Sequence, residues 1–430
     1  MSIIIAILAL NIIIIVHELG HFIAAKKMGI KVLEFSLFIG PKIISIQRGD
    51  TTYTLRLIPL IAYVKMEGEE DDSDSPAAFR NKSLTARMIT IVSGPLANLM
   101  LAVIILTAVF SISGFATTEI GYVAENSPAE AAGIRKGDKI VSYDGKRTYL
   151  PIDVIQFIYI SKGAPAEIEY EREGKRFSGT IEPVLHPASV SPKIGVTLGG
   201  KGEADSNVIS GLAPDLPAEE MGLKAGDRIV ALNGTEVNTA EEIIAFLNQN
   251  GFKPIEVKVL RDGAEINVTL TPVEAKSEEW YDAGILFMPV KGGFFKSLAQ
   301  AATYTFTIIR STGYSLVWLI TGKASVSELI GPIGMVSTIS AAVRQAPSIY
   351  DMLLELLNTT ALFSIALGAT NLIPFPVLDG GRIVMLLVEA VRGKPLSQEK
   401  EAFISMVGFT LIILLGLFVA YNDIIRLVTG

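Results

Sequence analysis

The residues most able to do chemistry are His17, Glu18 and His21, which form the pattern H-E-x-x-H near the amino terminus of a chain with only three histidines. On a helix, histidines four residues apart share a face, so both imidazoles reach one Zn²⁺, and the adjacent glutamate is placed to take a proton from water. The alternative is a satisfied polar pair in an apolar helix. Three ionisable groups within five residues of an apolar run are costly, which favours the metal site.

A catalytic zinc site uses three protein ligands and leaves one position open. His186 is the remaining histidine, but it lies in V-L-H-P-A-S-V-S-P, a proline-rich linker typical of a surface. Asp379 is the better candidate because it follows the uncharged stretch 356–378, at the end of N-L-I-P-F-P-V-L-D-G-G. The two prolines break helix regularity, which a membrane tolerates only around a cavity or packed site. The alternative is an interfacial acid that starts a loop.

Long uncharged runs must position these residues. Half of the residues are hydrophobic and 19% are charged, and the uncharged runs are 1–16, 88–118, 356–378 and 402–422. Each run approaches the roughly 20 residues that cross a bilayer, which predicts four spans. A cleaved signal peptide is the alternative for the first run, but a basic start and a small-residue cleavage site are missing. The net charge of −7 disfavours nucleic-acid binding, and the absence of cysteine excludes thiol catalysis and disulfides.

Basic residues near the span ends predict the orientation, because cytoplasmic loops are enriched in lysine and arginine. The loops after the first span, before the second, and between the third and fourth are therefore expected inside, with both termini and residues 119–290 outside. Segment 294–322 is aromatic-rich but contains Lys296 and Arg310, so we predict an amphipathic helix at the outer interface rather than a fifth span. The residues that decide the orientation are Lys26, Lys27, Lys31, Arg80, Lys82, Arg87, Arg382, Arg392, Lys394 and Lys400.

The outer segment contains an internal repeat. Residues 128–145 read PAEAAGIRKGDKIVSYDG, and residues 217–234 read PAEEMGLKAGDRIVALNG, at a constant offset of 89. The pattern resembles the bacterial PDZ domain, which implies two tandem PDZ domains over 116–186 and 190–275. Each groove either captures an extended segment by strand addition or only shields the membrane part, and the sequence leaves both open.

The H-E-x-x-H in the first span, the N-x-x-P-x-P-x-L-D-G-G in the third and the tandem repeats between them resemble the site-2 protease family of intramembrane zinc metalloproteases. The resemblance covers essentially the whole chain. It implies a multi-pass α-helical membrane protein, with four transmembrane helices and a membrane-associated β-hairpin, plus two extracytoplasmic α+β PDZ domains. The implied membrane core is split between 1–115 and 349–430, with the amphipathic segment at 290–348.

The resemblance also implies residue roles. His17, His21 and Asp379 would ligate one Zn²⁺ per chain, and Glu18 would be the catalytic glutamate. Residues 93–98, S-G-P-L-A-N, resemble the G-x-x-x-N element of the family and place Asn98 near the site.

Two further parts of the site follow from the same resemblance. Asn98 and Asn371 are candidates to bind substrate backbone or an oxyanion, or to satisfy carbonyls that nearby prolines free. Residues 51–66 would form the hairpin whose edge pairs with an unwound substrate.

The implied function is a zinc-dependent endopeptidase of the bacterial cytoplasmic membrane. It would cleave single-span membrane proteins, such as an anti-sigma factor, after a first cut by another protease, and the PDZ domains would filter substrates by size. One rival is a transporter or channel with a metal-stabilised core, which predicts inverted repeats between the membrane halves, and none is seen. The other is a non-catalytic PDZ scaffold, which the presence of Glu18 disfavours.

Overall fold

The computed structural model describes residues 2–69, 73–199, 206–213, 216–326, 329–346, 348–394 and 396–429. The helices in these ranges are α1 (Ser2–Lys27), α2 (Leu84–Ser113), α3 (Pro128–Ala131), α4 (Pro151–Ile160), α5 (Pro217–Glu220), α6 (Ala240–Asn250), α7 (Phe294–Ile320), α8 (Pro332–Gln345), α9 (Ile349–Asn371), α10 (Asp379–Arg392) and α11 (Gln398–Thr429). The strands are β1 (Val32–Arg48), β2 (Thr51–Met66), β3 (Phe115–Val123), β4 (Lys139–Tyr143), β5 (Lys146–Arg147), β6 (Ala166–Arg172), β7 (Lys175–Ile181), β8 (Val184–His186), β9 (Ser189–Lys193), β10 (Val196–Leu198), β11 (Ile209–Leu212), β12 (Arg228–Leu232), β13 (Thr235–Glu236), β14 (Ile255–Arg261), β15 (Ala264–Leu270), β16 (Val273–Ser277), β17 (Trp280–Asp282) and β18 (Ile285–Val290).

Four helices in the described ranges are long and apolar enough to cross a membrane: α1, α2, α9 and α11. Each of these helices overlaps one of the four uncharged runs, in agreement with the prediction of four spans. The third helix is shorter than predicted at its carboxyl-terminal end, because α9 stops at Asn371 and residues 372–378 form turns and bends. Pro374 and Pro376 lie in these turns, and proline cannot supply the N–H that a continuing helix needs.

Helices α1 and α2 approach each other closely where small residues meet. The Ser93 hydroxyl donates to the Gly20 carbonyl oxygen at 2.9 Å, and a side chain at Gly20 would overlap the Ser93 carbonyl. Lipid tails are as apolar as the side chains, so the hydrophobic effect does not drive membrane helices together. They associate instead through close packing and hydrogen bonds such as these. This approach brings α2 against the face of α1 that carries both histidines.

The hairpin of β1 and β2 folds back on itself and makes four neighbouring strand segments. Residues 51–55 pair with 44–48 on one side and with 34–37 on the other, and residues 62–65 pair antiparallel with the far side of 34–37. Among the described residues no further strand pairs with 61–66, so this segment forms an edge of the sheet. We call residues 61–66 the edge segment. Within the predicted hairpin region 51–66, the edge segment therefore lies at the border of the sheet. Residues 51–55 instead have strand neighbours on both sides.

The two sequence repeats fold alike. The first, repeat 1, has the sheet order β18-β3-β4-β6-β7, and the second, repeat 2, has the order β13-β12-β14-β15 with a separate pair of β10 and β11. Each packs one helix of ten or eleven residues, α4 or α6, into an apolar core of its own. Two small α+β units thus stand between α2 and α7.

Repeat 2 is inserted into repeat 1. Strand β18 follows repeat 2 in the chain, yet it pairs with β3 of repeat 1. Ala129 donates its N–H to the Ala283 carbonyl oxygen at 3.0 Å, as Ala218 does to Ile194 at 2.9 Å, so β18 stands in repeat 1 where β10 stands in repeat 2. The sheet of repeat 1 therefore extends beyond the predicted limits of 116–186. A two-stranded ribbon, β8 with β17 and β9 with β16, joins the two repeats.

One ion pair recurs at the offset of 89. Arg172 donates to both carboxylate oxygens of Asp138 at 2.7 Å, and Arg261 donates to Asp227 at 2.6 and 2.7 Å. Both aspartates are about 1% exposed, and the hydrogen bonds from Arg261 hold the pKa of Asp227 below its usual value. The shared G-D motif therefore has a structural role, which is to close the turn before β4 and β12.

Helix α7 connects the membrane helices to repeat 1. It is one continuous helix over the predicted amphipathic segment, and it is not among the four candidate spans. Its first half packs on α2 and α9 around Ala301. In its second half Arg310 donates to the buried Asp153 carboxylate at 2.5 Å, and Trp318 enters the core of repeat 1. The two basic residues that interrupt the segment are therefore not equivalent, because Arg310 has a protein partner.

Candidate metal centre

Helix α1 presents His17 and His21 on one face, as the four-residue spacing predicts. The two Nε2 atoms lie 3.2 Å apart, and the two residues are 7% and 9% exposed. The rings meet edge to face with centroids 4.8 Å apart. Both ring nitrogens that a metal would use therefore point to one place.

Asp379 reaches the same place from the segment that follows α9. It is the first residue of α10, after the turns that contain Pro374 and Pro376. Its Oδ2 lies 3.2 Å from Nε2 of His17 and 3.4 Å from Nε2 of His21. The following Gly380 and Gly381 have no room for side chains, which would overlap the carbonyl oxygens of Ile373 and Phe375. The D-G-G motif is thus explained by close packing of α10 against the turns.

Helix α2 supports both histidines from behind. Nδ1 of His21 donates to the Thr90 carbonyl oxygen at 2.8 Å. Gly94 leaves the space that the His21 ring occupies, since any side chain there would overlap Nε2. Because the helices run antiparallel, the next turn brings Asn98 to His17, with Nδ2 3.4 Å from Nδ1. The four-residue spacing of Gly94 and Asn98 therefore matches that of the histidines.

A cavity of about 560 Å³ opens beside the three donor atoms. Glu18 lines it, next to the two histidines, and so do Asn371 and Arg382. The edge segment forms part of its wall, where the Val64 backbone N–H is directed at the Glu18 carboxylate. An extended chain in this cavity would lie between the edge segment and the three donor atoms.

The two candidate asparagines occupy different places. Asn371 lines the cavity, where it is accessible to a bound molecule. Asn98 is fully buried on α2 and is not part of the cavity wall, so its contact is with His17. The G-x-x-x-N element did place Asn98 near the centre, but no sequence pattern distinguishes its buried position from the cavity position of Asn371.

His186 lies away from the centre, in the ribbon that joins the repeats. Its ring stacks on Trp280 at 4.3 Å, and its Nε2 is 3.9 Å from Asp282. Among the described residues the group of His, Asp and Glu side chains with metal-binding geometry is His17, His21 and Asp379. The surface position predicted for His186 agrees with this structure.

Sequence reasoning missed the supporting residues Thr90 and Gly94. Thr90 acts through its backbone carbonyl, which any residue supplies, so no residue type marks it. A signal for Gly94 was present in the G-x-x-x-N element, whose glycine and asparagine have the spacing of the two histidines. The pairing of these positions follows only from the antiparallel contact of α1 and α2.

Comparison with known proteins gives one consistent family. Residues 5–415 match the model of peptidase family M50. The zinc metalloprotease RasP of Geobacillus kaustophilus is 30% identical over 98% of this chain and 97% of its own length. The regulator of sigma-E protease RseP of Salmonella typhimurium is 30% identical over 98% of both chains, and the regulator of sigma-W protease RasP of Bacillus subtilis is 30% identical over 96% of this chain and 95% of its own.

Among solved structures, the HtrA3 PDZ domain bound to a phage-derived ligand is similar over 21% of this chain and 91% of its own, with 21% identity and a TM-score of 0.18. The family match and the three relatives each cover almost the entire chain, membrane helices and repeats together. The chain therefore belongs to peptidase family M50, the site-2 protease family, and is a zinc metalloendopeptidase.

Proposed function

We propose that His17, His21 and Asp379 hold one zinc ion per chain. The observation that carries this proposal is the spacing of the three donor atoms, 3.2, 3.2 and 3.4 Å. In a tetrahedral site with metal–ligand distances of about 2.0–2.1 Å, neighbouring ligand atoms are about 3.3–3.4 Å apart. Two imidazole nitrogens and a carboxylate oxygen are also a donor set that suits zinc, and three ligands leave a position for reaction.

Glu18 is the proton carrier in this proposal. Its carboxylate lines the cavity beside both histidines, so it takes a proton from attacking water and later gives it to the leaving amine nitrogen. Zinc, when bound, supplies Lewis acidity and makes water a nucleophile at neutral pH. Asn371 lies in the same cavity, where its amide N–H₂ donates to the oxygen of the peptide being cut.

The edge segment is the proposed substrate-binding strand. A transmembrane helix has its backbone hydrogen bonds closed, so it must unwind before a peptide bond is accessible. In the described part of the chain no further strand lies beside residues 61–66 at the cavity wall, and a peptide that pairs along this edge offsets the hydrogen bonds that unwinding breaks. A substrate peptide paired with this edge would then lie in the cavity that Glu18 also lines.

The proposed substrates are single-span membrane proteins of the anti-sigma-factor type, and an upstream protease makes the first cut. Two relatives, the regulator of sigma-E protease RseP and the regulator of sigma-W protease RasP, support this class of substrate. The proposed location is the bacterial cytoplasmic membrane. The basic residues at span ends, such as Lys26 and Lys27, favour an active site near the cytoplasmic face with both termini and both repeats outside.

The two repeats are proposed to be PDZ domains that act as a size filter. The described residues that line the cavity lie within 14–91 and 367–382 and none belongs to a repeat, so the repeats have no proposed part in bond cleavage. As a filter they exclude a substrate that still has its outer domain. As a recruiter through strand addition they would instead supply affinity for a trimmed substrate.

Excision of the repeats distinguishes these two roles. Joining residue 188 to residue 278 removes repeat 2 and leaves β8 and β17 as a hairpin closed by four residues, an ordinary loop length. Joining Gly114 to Lys291 deletes residues 115–290 and so removes both repeats. The two ends can be joined because Phe115 and Val290, the first and last deleted residues, pair with each other. Cleavage of a trimmed and an untrimmed single-span substrate is measured by gel assay with each variant.

The filter predicts that the variant without both repeats cuts the untrimmed substrate and still cuts the trimmed one. Slower cleavage of the trimmed substrate with continued exclusion of the untrimmed one would contradict the filter and favour the recruiter. The variant that lacks only repeat 2 then assigns the exclusion to one repeat or to both. The protease activity itself is tested by whether the trimmed single-span substrate is cut within its apolar segment.

A further inference from the structure

Asn98 has a specific contact that the proposed mechanism does not use. It is fully buried on α2, and its side-chain amide faces Nδ1 of His17 at 3.4 Å. We propose that Asn98 is a positioning residue for the metal centre: its amide oxygen accepts the Nδ1–H of His17 and so holds the tautomer that presents Nε2 to zinc. This inference rests on the proposed zinc ligands.

One of the two ring nitrogens of His17 carries a proton, and the geometry shows which one. Nε2 is the atom that lies 3.2 Å from Asp379 and 3.2 Å from His21, so Nε2 is the ligand atom. A neutral imidazole that ligates through Nε2 carries its proton on Nδ1. That N–H is buried beside α2, and a buried donor needs an acceptor.

The Asn98 amide can face His17 with either its nitrogen or its oxygen. With Nδ2 toward the ring, two donors would face each other, and Oδ1 is left buried without a hydrogen-bond partner. The two ends of an amide are told apart by their hydrogen bonds, so the orientation follows from the ring. With Oδ1 toward His17, the same contact becomes an N–H···O hydrogen bond.

His21 provides the parallel within the same centre. Its Nδ1 donates to the Thr90 carbonyl oxygen at 2.8 Å, which fixes the same tautomer. Metal-ligating histidines commonly donate the second ring N–H to a carbonyl or carboxylate, and loss of that partner weakens metal binding. Helix α2 therefore orients both rings, one through its backbone and the other through the side chain of Asn98.

The placement of Asn98 also argues against a role in binding substrate. Its side chain is fully buried and outside the cavity wall, whereas Asn371 lines that wall. The backbone at this point is held by α9, since the Ser364 hydroxyl donates to the Asn98 carbonyl oxygen at 2.8 Å. The side chain is thus held against His17 rather than toward the reacting peptide.

The test is zinc affinity in purified full-length protein, measured by competition with a chromophoric chelator. Asn98→Ala removes the acceptor and is expected to weaken zinc binding about 10–100-fold. Asn98→Asp restores an acceptor oxygen of similar size and is expected to return the affinity to the wild-type range or tighter. Ser364→Ala is the matched control, because it disturbs packing at the Asn98 backbone without touching His17, and it is expected to bind zinc like wild type.

Two outcomes would overturn the proposal: wild-type affinity in Asn98→Ala, or equally weak binding in Asn98→Asp and Asn98→Ala, which would make the residue a packing element. His17→Ala is measured alongside to separate this proposal from the one on which it rests. If His17→Ala still binds zinc like wild type, the ligand assignment is wrong. If only that variant loses zinc and both Asn98 variants keep it, the assignment stands and the role of Asn98 is wrong.

Discussion

Replacing Glu18 with glutamine is expected to reduce peptide cleavage by about 10²–10⁴-fold while bound zinc stays at the wild-type level. The amide has the shape of the carboxylate but cannot accept the proton of water. Glu18 is not among the three converging donor atoms, so its loss leaves the metal ligands intact. The measurements are the initial rate on a trimmed single-span substrate and the zinc content of the same preparation.

Glu69→Gln is the matched control for this change. Glu69 lines the same cavity, but its carboxylate is paired with Arg382, and it has no place in the proposed proton transfer. The control is expected to retain most of the activity. Cleavage by Glu18→Gln at the wild-type rate would remove Glu18 from the mechanism, and loss of zinc from that variant would make it a ligand instead.

The second large effect is expected for Asp379→Asn, which should lose both zinc and activity. A neutral amide oxygen is a much weaker zinc ligand than a carboxylate, and two histidines alone hold the ion poorly. Metal analysis after dialysis and the cleavage rate are the two readouts. His186→Ala is the comparison variant and should change neither, since His186 stacks on Trp280 in the ribbon between the repeats. Loss of zinc on changing His186 would contradict the ligand assignment.

The sequence predicts much of this centre because its signals are local or depend on depth in the membrane. His17 and His21 are four residues apart on one helix, so the helical period places their rings together. Asp379 and the histidine pair each follow an uncharged stretch, and the basic residues nearby predict a similar depth for both. The predicted common depth therefore singles out Asp379 as a candidate third donor, and the structure places its Oδ2 within 3.4 Å of both Nε2 atoms.

The parts that sequence reasoning missed depend on contacts between distant segments. Strand β18 completes repeat 1 after the insertion of repeat 2, and no local pattern reports a pairing between 115–123 and 285–290. A signal was nevertheless present, because Gly195 and Gly284 are also 89 residues apart. The salt bridge of Arg310 with Asp153 is another case, since an arginine in an aromatic helix predicts an interface but not its partner.

The most direct test of the central claim is to map the peptide bond that the purified full-length protein cuts. The protein is reconstituted in lipid nanodiscs with a trimmed single-span reporter, and mass spectrometry identifies the new termini. We predict a cut inside the apolar segment of the reporter, lost when a chelator removes zinc, restored by added zinc and missing with Glu18→Gln. A cut confined to the flanking soluble residues, or undiminished cutting by metal-free protein, would contradict the assignment of this chain as an intramembrane zinc protease.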